Sequence, residues 1–270
     1  MSKLHEIAAG LKADGQPTLV PFLTAGWPDT VTFKRLVAAA AQAGCRILEI
    51  GVPFSDPVAD GPAIQAASAE ALARGMTLAK AIELAAEAHA EHDLQVVLMG
   101  YINPVLSFGP ERFAAACAQA RVAGVIVPDL PLEEAHGLRD LLKHHGVSLV
   151  ELVAPTSGPE RLAAYARQAG GFLYLVSTTG VTGAGLGTNV ASYVASVRSH
   201  TDLPLYVGFG ISGPESAAAV AAVADGVVIG SALQRLVSRA PDLDRAVEEV
   251  GQFLRTVVAA IKSARNGDSG

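Results

Sequence analysis

The sequence predicts an α/β fold, a (β/α)8 TIM barrel with an extra N-terminal helix and a short helix after strand 8. Three observations predict it. Eight short apolar, β-branched runs alternate with Ala-rich helical stretches along the chain. Such alternation implies parallel strands joined by right-handed crossovers. The length of 270 residues fits eight β/α units, since barrels of this class run to about 250 residues as one domain. Turn and cap residues fall where the intervening helices should start and stop. Periodicity alone does not show ring closure, so an open doubly wound sheet shares the same pattern.

Element by element, the chain opens with Leu4, Ile7, Ala8 and Leu11 at helical spacing. Lys3, His5, Glu6 and Lys12 lie between them, which reads as an amphipathic surface helix rather than a signal peptide. Strands are expected at 18–23, 46–51, 95–99, 124–127, 148–152, 172–177, 205–208 and 226–229. Helices are expected near 30–43, 62–90, 110–122, 133–145, 159–169, 190–199 and 214–223, with 231–238 and 242–264 closing the chain. Gly109-Pro110-Glu111 and Gly158-Pro159-Glu160 place Pro and an acid where a first helical turn tolerates them. Gly44, Gly146 and Gly170 stand where helices should stop. No domain boundary is visible, so residues 1–270 are expected to form a single domain, with a frayed polar tail over 263–270.

Composition narrows the function classes. The longest candidate membrane segment, 217–224, is far short of the roughly 18 to 20 apolar residues that a span needs. Together with the absence of an export signal, this predicts a cytoplasmic protein. The net charge of −6 and the lack of any Lys/Arg block argue against nucleic acid as the partner. Cys45 and Cys117 are too few and too far apart for a disulfide framework. The seven histidines form no metal-like cluster, so no metal is expected.

In such barrels the site is built at the C-terminal ends of the strands. The second strand ends Ile47-Leu48-Glu49-Ile50-Gly51. Alternation puts Glu49 on the face opposite Leu48 and Ile50, pointing into the barrel mouth. A carboxyl there loses hydration, its pKa rises, and it suits proton transfer. No Lys or Arg ends another strand to make it a structural partner instead. The next loop, Val52-Pro53-Phe54-Ser55-Asp56-Pro57-Val58-Ala59-Asp60-Gly61-Pro62, adds two acids. Asp56 reads as a turn residue; Asp60 reads equally as a helix N-cap or as a second catalytic carboxylate. Tyr101 and Tyr174 line either a pocket or the core. The Gly-rich stretch 177–188 reads as a lid or a plain connector. The loop 208–213, with Gly230-Ser231 at the end of the eighth strand, fits a phosphate site built from backbone N–H groups and a helix start. The same loop matches G-x-G-x-x-G, but the nearest acid, Asp225, precedes its strand, which favours phosphate over a dinucleotide.

These residues resemble the tryptophan synthase α subunit family. The run 48–62 carries the most specific likeness. Pro21-Phe22-Leu23-Thr24-Ala25-Gly26, Met99-Gly100-Tyr101-Ile102-Asn103-Pro104, Val127-Pro128-Asp129-Leu130-Pro131, 177–183, 208–212 and Gly230-Ser231 follow in order. Phe172 stands where some members have Tyr, and Ile102 varies a loosely specified position. The resemblance implies retro-aldol cleavage of indole-3-glycerol phosphate to indole and glyceraldehyde 3-phosphate, with no metal or organic cofactor in this chain. It implies Glu49 as general acid/base and Asp60 as the carboxylate that accepts the indole N–H. It places Phe22, Tyr101, Tyr174 and Thr182 at the substrate. Gly183, Phe209, Gly210, Gly230 and Ser231 match the phosphate site. It also implies a pyridoxal-phosphate β subunit as partner, in an αββα heterotetramer, facing the loops near 53–60, 101–107, 129–135 and 178–189. The competing readings are a free-standing lyase, a non-catalytic activator of a partner, and a barrel enzyme acting on another phosphorylated sugar.

Overall fold

The computed structural model describes residues 2–176, 190–208 and 210–266. In chain order its elements are α1 Lys3–Ala13, β1 Thr18–Thr24, α2 Thr30–Gln42, β2 Ile47–Gly51, α3 Pro62–Ala73, α4 Leu78–His92 and β3 Gln95–Met99. They continue with α5 Ile102–Phe108, α6 Pro110–Gln119, β4 Gly124–Ile126, α7 His136–His144, β5 Ser148–Leu149, β6 Glu151–Val153 and α8 Pro159–Gln168. The last are β7 Leu173–Val176, α9 Val190–Arg198, β8 Leu205–Gly208, α10 Pro214–Ala221, β9 Gly226–Ile229, α11 Ser231–Arg239 and α12 Leu243–Asn266.

All strand pairs are parallel, in the order β5-β4-β3-β2-β1-β9-β8-β7-β6. Only Val150 separates β5 from β6, and its N–H bonds to Val125 O at 2.9 Å. One run of chain therefore pairs with β4 through its first half and with β7 through its second. That run closes the ring and accounts for the fifth expected strand.

Two apolar layers follow from the two-residue period of strands. Leu19, Leu23, Leu48, Ile50, Val96 and Leu98 face the helices. Val20, Ile47, Val97, Ile126, Val150 and Val228 face the barrel axis. Leu4 and Ala8 of α1 join that inner layer and are fully buried. The expected amphipathic surface helix is thus the floor of the barrel. Its fit explains two glycines, since a Cβ on Gly124 or on Gly171 would lie 2.6 Å from Leu4 Cδ2.

Four expectations shift. The stretch 62–90 is two helices, because Gly75 takes a left-handed backbone (φ +78) and Thr77 caps a new start, its Oγ1 accepting from Lys80 N at 3.3 Å. Helix α5 was not foreseen. The helix expected from 133 begins at His136, after a turn closed by Glu134 N to Pro131 O at 3.0 Å. The tail stays helical through Asn266, where Arg265 Nη2 lies 3.6 Å from buried Asp225 Oδ1; residues 267–270 lie outside the described residues.

Because Leu4 fills the floor, Leu4→Ala should cost roughly 2–5 kcal/mol in urea unfolding. A loss below about 0.5 kcal/mol, the size of an ordinary surface substitution, would remove α1 from the core.

Candidate active site

The open end of the ring gathers the acids. Glu49 sits on β2 beside Phe22 of β1 and Val97 of β3 in register. It shares the inward face with Ile47, which lies in the axial layer, whereas Leu48 and Ile50 face the helices. Only 1% of Glu49 is exposed, and Oε1 has no hydrogen-bond partner among the described residues. Burial pushes its pKa from 4.5 to about 8, and the neighbouring charge of Asp60 adds to the rise.

Glycines on either side make space for the aromatic wall. A Cβ on Gly51 would lie 2.3 Å from Phe22 Cζ, and one on Gly230 would lie 3.2 Å from Phe22 Cβ. Phe22 therefore packs between the ends of β2 and β9. Across the mouth, a Cβ on Gly208 would lie 2.2 Å from the Tyr174 hydroxyl oxygen. Tyr174 is buried, and its pKa is raised by burial, then by the charges of Glu49 and Asp60. The three groups thus share one electrostatic environment.

The structure separates the two readings of Asp60. The N-cap position of α3 is Gly61, with Pro62 in the first turn and no side-chain cap bond. The Asp60 carboxyl turns instead to Tyr101, whose O–H donates to Oδ2 at 3.2 Å and accepts from Ala59 N at 3.0 Å. The Tyr101 ring stacks on Phe54 with centroids 5.1 Å apart. Asp60 has its pKa raised from 3.8 to about 6 by burial, against the lowering effect of the Tyr101 bond. Asp56 keeps its turn role: its carbonyl accepts from Val58 N at 2.9 Å, and Oδ2 accepts from Ser55 Oγ at 2.7 Å.

On the far side of the mouth, β8 ends at Gly208 and β9 at Ile229. Gly210 adopts φ +73, and nothing lies within 4 Å of where its Cβ would stand. Helix α11 starts at Ser231, where Leu233 N and Gln234 N turn back to Gly230 O at 2.8 and 3.3 Å. The earlier N–H groups of that turn have no intrahelical acceptor. Helix α10 begins at Pro214, and the N–H groups of Ser212 and Gly213 before it donate to Ser216 Oγ at 3.1 and 3.2 Å. Thr182, Gly183 and Phe209 lie outside the described residues. Asp225 cannot serve a dinucleotide ribose: it is buried, bonded to Arg198 Nη2 and to Leu205 N.

Two framing contacts had escaped the sequence reading. Gln234 Nε2 donates to Thr24 Oγ1 at 3.0 Å in the core, tying α11 to β1. Trp27 Nε1 donates to Glu70 Oε2 at 3.0 Å, tying the end of β1 to α3. A polar Gln234 among Ala232, Leu233 and Val237 was the available signal for the first. Among the described residues, no group of three or more His, Cys, Asp or Glu is placed to hold a metal ion. None of the described helices is long and apolar enough to cross a membrane.

Comparison with known proteins follows the same lines. The family model for the tryptophan synthase alpha chain matches residues 8–262. The tryptophan synthase alpha chain of Chloroflexus aurantiacus is 46% identical over 264 residues, covering 97% of this chain and 99% of that protein. The crystal structure of tryptophan synthase subunit alpha from Legionella pneumophila superposes with a TM-score of 0.90 at 33% identity, covering 97% and 99%. A chain of Mycobacterium tuberculosis tryptophan synthase gives a TM-score of 0.88 at 34% identity, covering 97% and 98%.

The Tyr101 hydroxyl favours ionised Asp60, so Tyr101→Phe should move the Asp60 midpoint above about 6. A 13C-carboxyl NMR titration reads this directly. An unchanged or lower midpoint would mean that the bond does not act on Asp60.

Proposed function

From the premise that the chain belongs to the tryptophan synthase alpha chain family, we propose that it cleaves indole-3-glycerol phosphate to indole and glyceraldehyde 3-phosphate, a retro-aldol carbon–carbon lyase step in L-tryptophan biosynthesis. The observation that carries this reading is one buried and one half-buried carboxyl in one mouth, both with raised proton affinity and unequally so. Burial raises Glu49 to about 8, while Asp60, less deeply buried and bonded by Tyr101, rises only to about 6, so Glu49 is the stronger proton holder of the two.

In this scheme Glu49 gives its proton to indole C3, and the ring becomes a cationic indolenine. Asp60 accepts the ring N–H and stabilises that charge where it develops. Glu49, now a carboxylate, takes the proton of the glycerol hydroxyl next to the breaking bond. That carbon becomes the aldehyde, and the electron pair of the broken bond returns to the ring. Glu49 ends protonated, so the net transfer is from hydroxyl to C3. Phe22, Tyr101 and Tyr174 would wall the indole, with Thr182 contributing from the 177–189 segment. Gly183, Phe209, Gly210, Gly230 and Ser231 would hold the phosphate, with the start of α11 supplying N–H donors.

The reaction so written uses no resident metal or organic cofactor; pyridoxal phosphate belongs to the proposed partner. That partner is a β subunit, in an αββα heterotetramer that receives the indole. Val58 is 82% exposed and Leu106 56%, on segments joined by the Tyr101–Ala59 bond and by Ile102 N to Asp129 Oδ1 at 2.9 Å. Exposed apolar side chains on a cross-braced rim fit a docking surface. We place the protein in the cytoplasm as a single domain of residues 1–270.

The deciding assay is indole release by the purified chain, with and without a β subunit. Slow release alone and strong stimulation by the partner are expected; no release in either state would overturn the reading. Glu49→Gln should fold and still bind inorganic phosphate, but lose cleavage by at least about 100-fold, the lower range for general acid–base catalysis. Gly210→Asp should raise KM far more than it lowers kcat, because it adds charge and a side chain at φ +73. An unchanged KM would move the phosphate elsewhere.

A further inference from the structure

Strand β1 changes partner halfway along. Thr18–Pro21 pairs with β9, and that ladder ends at Pro21 and Ile229. Phe22–Thr24 pairs instead with β2, Phe22 beside Glu49 and Thr24 beside Gly51, and Ala25 N donates to Gly51 O at 2.9 Å. The mouth is thereby built in two halves. One carries Phe22 and Glu49 on the β1–β2 ladder. The other carries Gly210 and Ser231 beyond the ends of β8 and β9, whose own ladder reaches Gly208 and Val228. Above Pro21 and Ile229, the β1–β9 ladder no longer holds one half to the other.

Side chains bridge that gap. Phe22 packs against Gly230, where a Cβ would lie 3.2 Å from Phe22 Cβ. One turn along α11, buried Gln234 donates from Nε2 to Oγ1 of buried Thr24 at 3.0 Å. Gln234 N also bonds to Gly230 O at 3.3 Å, so the residue that reaches β1 closes the first turn of α11. The other buried residues of this helix include Ala232, Leu233 and Val237. Apolar contacts of that kind resist separation but fix neither rotation nor sliding, because burial has no direction. A hydrogen bond has one. A buried amide also carries a desolvation cost that an apolar side chain avoids. Stability alone therefore does not call for Gln234, whereas a fixed distance between the two halves does.

We propose that Gln234 is a positioning residue for the cleavage reading above, on which this rests. Its bond to Thr24 sets the span between the start of α11, which takes the phosphate, and the Phe22–Glu49 face, which takes the indole ring and its proton. A substrate held at both ends gains from the second contact only when the two sites stand at the right distance. A misplacement of about 1 Å is enough to cost on the order of 100-fold. Each half keeps its own shape without the bond, because its own strand ladder holds it.

The test compares the whole substrate with its two parts, in the full chain with a β subunit present. Gln234→Met keeps the length of the side chain and removes the donor. Its kcat/KM for indole-3-glycerol phosphate should fall at least about tenfold. Its Kd values for inorganic phosphate and for indole should each stay within about twofold of the wild type, since neither part spans the halves. Thr24→Val should reproduce the loss, while Thr24→Ser, which keeps the hydroxyl, should stay within about threefold of the wild type. That pair reads the same bond from its other end if Gln234→Met does not fold. Equal kcat/KM in Gln234→Met and the wild type would overturn the proposal and leave the cleavage reading intact. So would a matching loss of affinity for inorganic phosphate alone, which would make Gln234 a support of the phosphate site and not of the span. A wild-type chain that releases no indole would overturn the cleavage reading and this inference together.

Discussion

The architecture turns on keeping a carboxyl on the inner face of a closed parallel sheet. Strand alternation leaves no choice about direction: with Leu48 and Ile50 packed on helices, Glu49 must face the axis. At that depth its ionised form is penalised, as the rise from 4.5 to about 8 records. The sign is definite. The folded chain holds this proton more tightly than the unfolded one, so the contribution to stability is full below pH 4.5 and lost as pH rises through about 8. At about 1.4 kcal/mol per pKa unit this is several kcal/mol. The closed apolar barrel must supply it, including the floor set by Leu4.

The two ends of the barrel divide the labour accordingly. At the floor, charge is paired: Asp225 takes Arg198, Arg265 and the Leu205 amide, which fixes α9, α12 and β8 about one buried acid. Removing one partner of such a group strands a buried charge, so the network constrains geometry more than it adds stability. At the mouth, Glu49 Oε1 is left without a partner among the described residues. Pairing would quench the proton affinity that burial creates. A carboxyl with an unpartnered oxygen at the mouth, against a paired buried charge at the floor, is the arrangement expected where proton affinity is kept for chemistry.

Much of this was legible in the sequence, and the exceptions share a cause. Strand positions, the inward direction of Glu49 and the helix starts at Pro110 and Pro159 are local consequences of period and turn chemistry, and the structure has them where the sequence puts them. The split at Gly75 was missed because Ala-rich sequence on both sides keeps a helical pattern through a single left-handed residue. Helix α1 was read as a surface element because Leu4 and Ala8 show a stripe, but not what the stripe meets; Gly124 and Gly171, far along the chain, carry that information. Asp60 stayed ambiguous for the same reason. A residue before a helix looks like a cap until Tyr101, 41 positions on, is seen to take its carboxyl. Long-range partners such as Gln234 and Thr24 leave only the trace of a polar side chain on an apolar face.

Asp60 shows why the second acid sits on a loop and not on a strand. Two carboxyls on adjacent inward strand positions would share one depth and one dielectric, and only their mutual repulsion would distinguish them, with no fixed choice of which keeps the proton. Placing Asp60 in a segment stiffened by Pro53, Pro57 and Pro62 lets it approach from the rim, where burial is less complete. Tyr101 then supplies a donor that lowers its pKa, while Glu49 receives none among the described residues. The separation between about 6 and about 8 thus comes from a difference in depth, the charge of Asp60 acting on Glu49, and one hydrogen bond. The stacking of Tyr101 on Phe54 and its bond to Ala59 hold that donor in place, so the geometry of the rim sets which of the two acids keeps its proton at neutral pH.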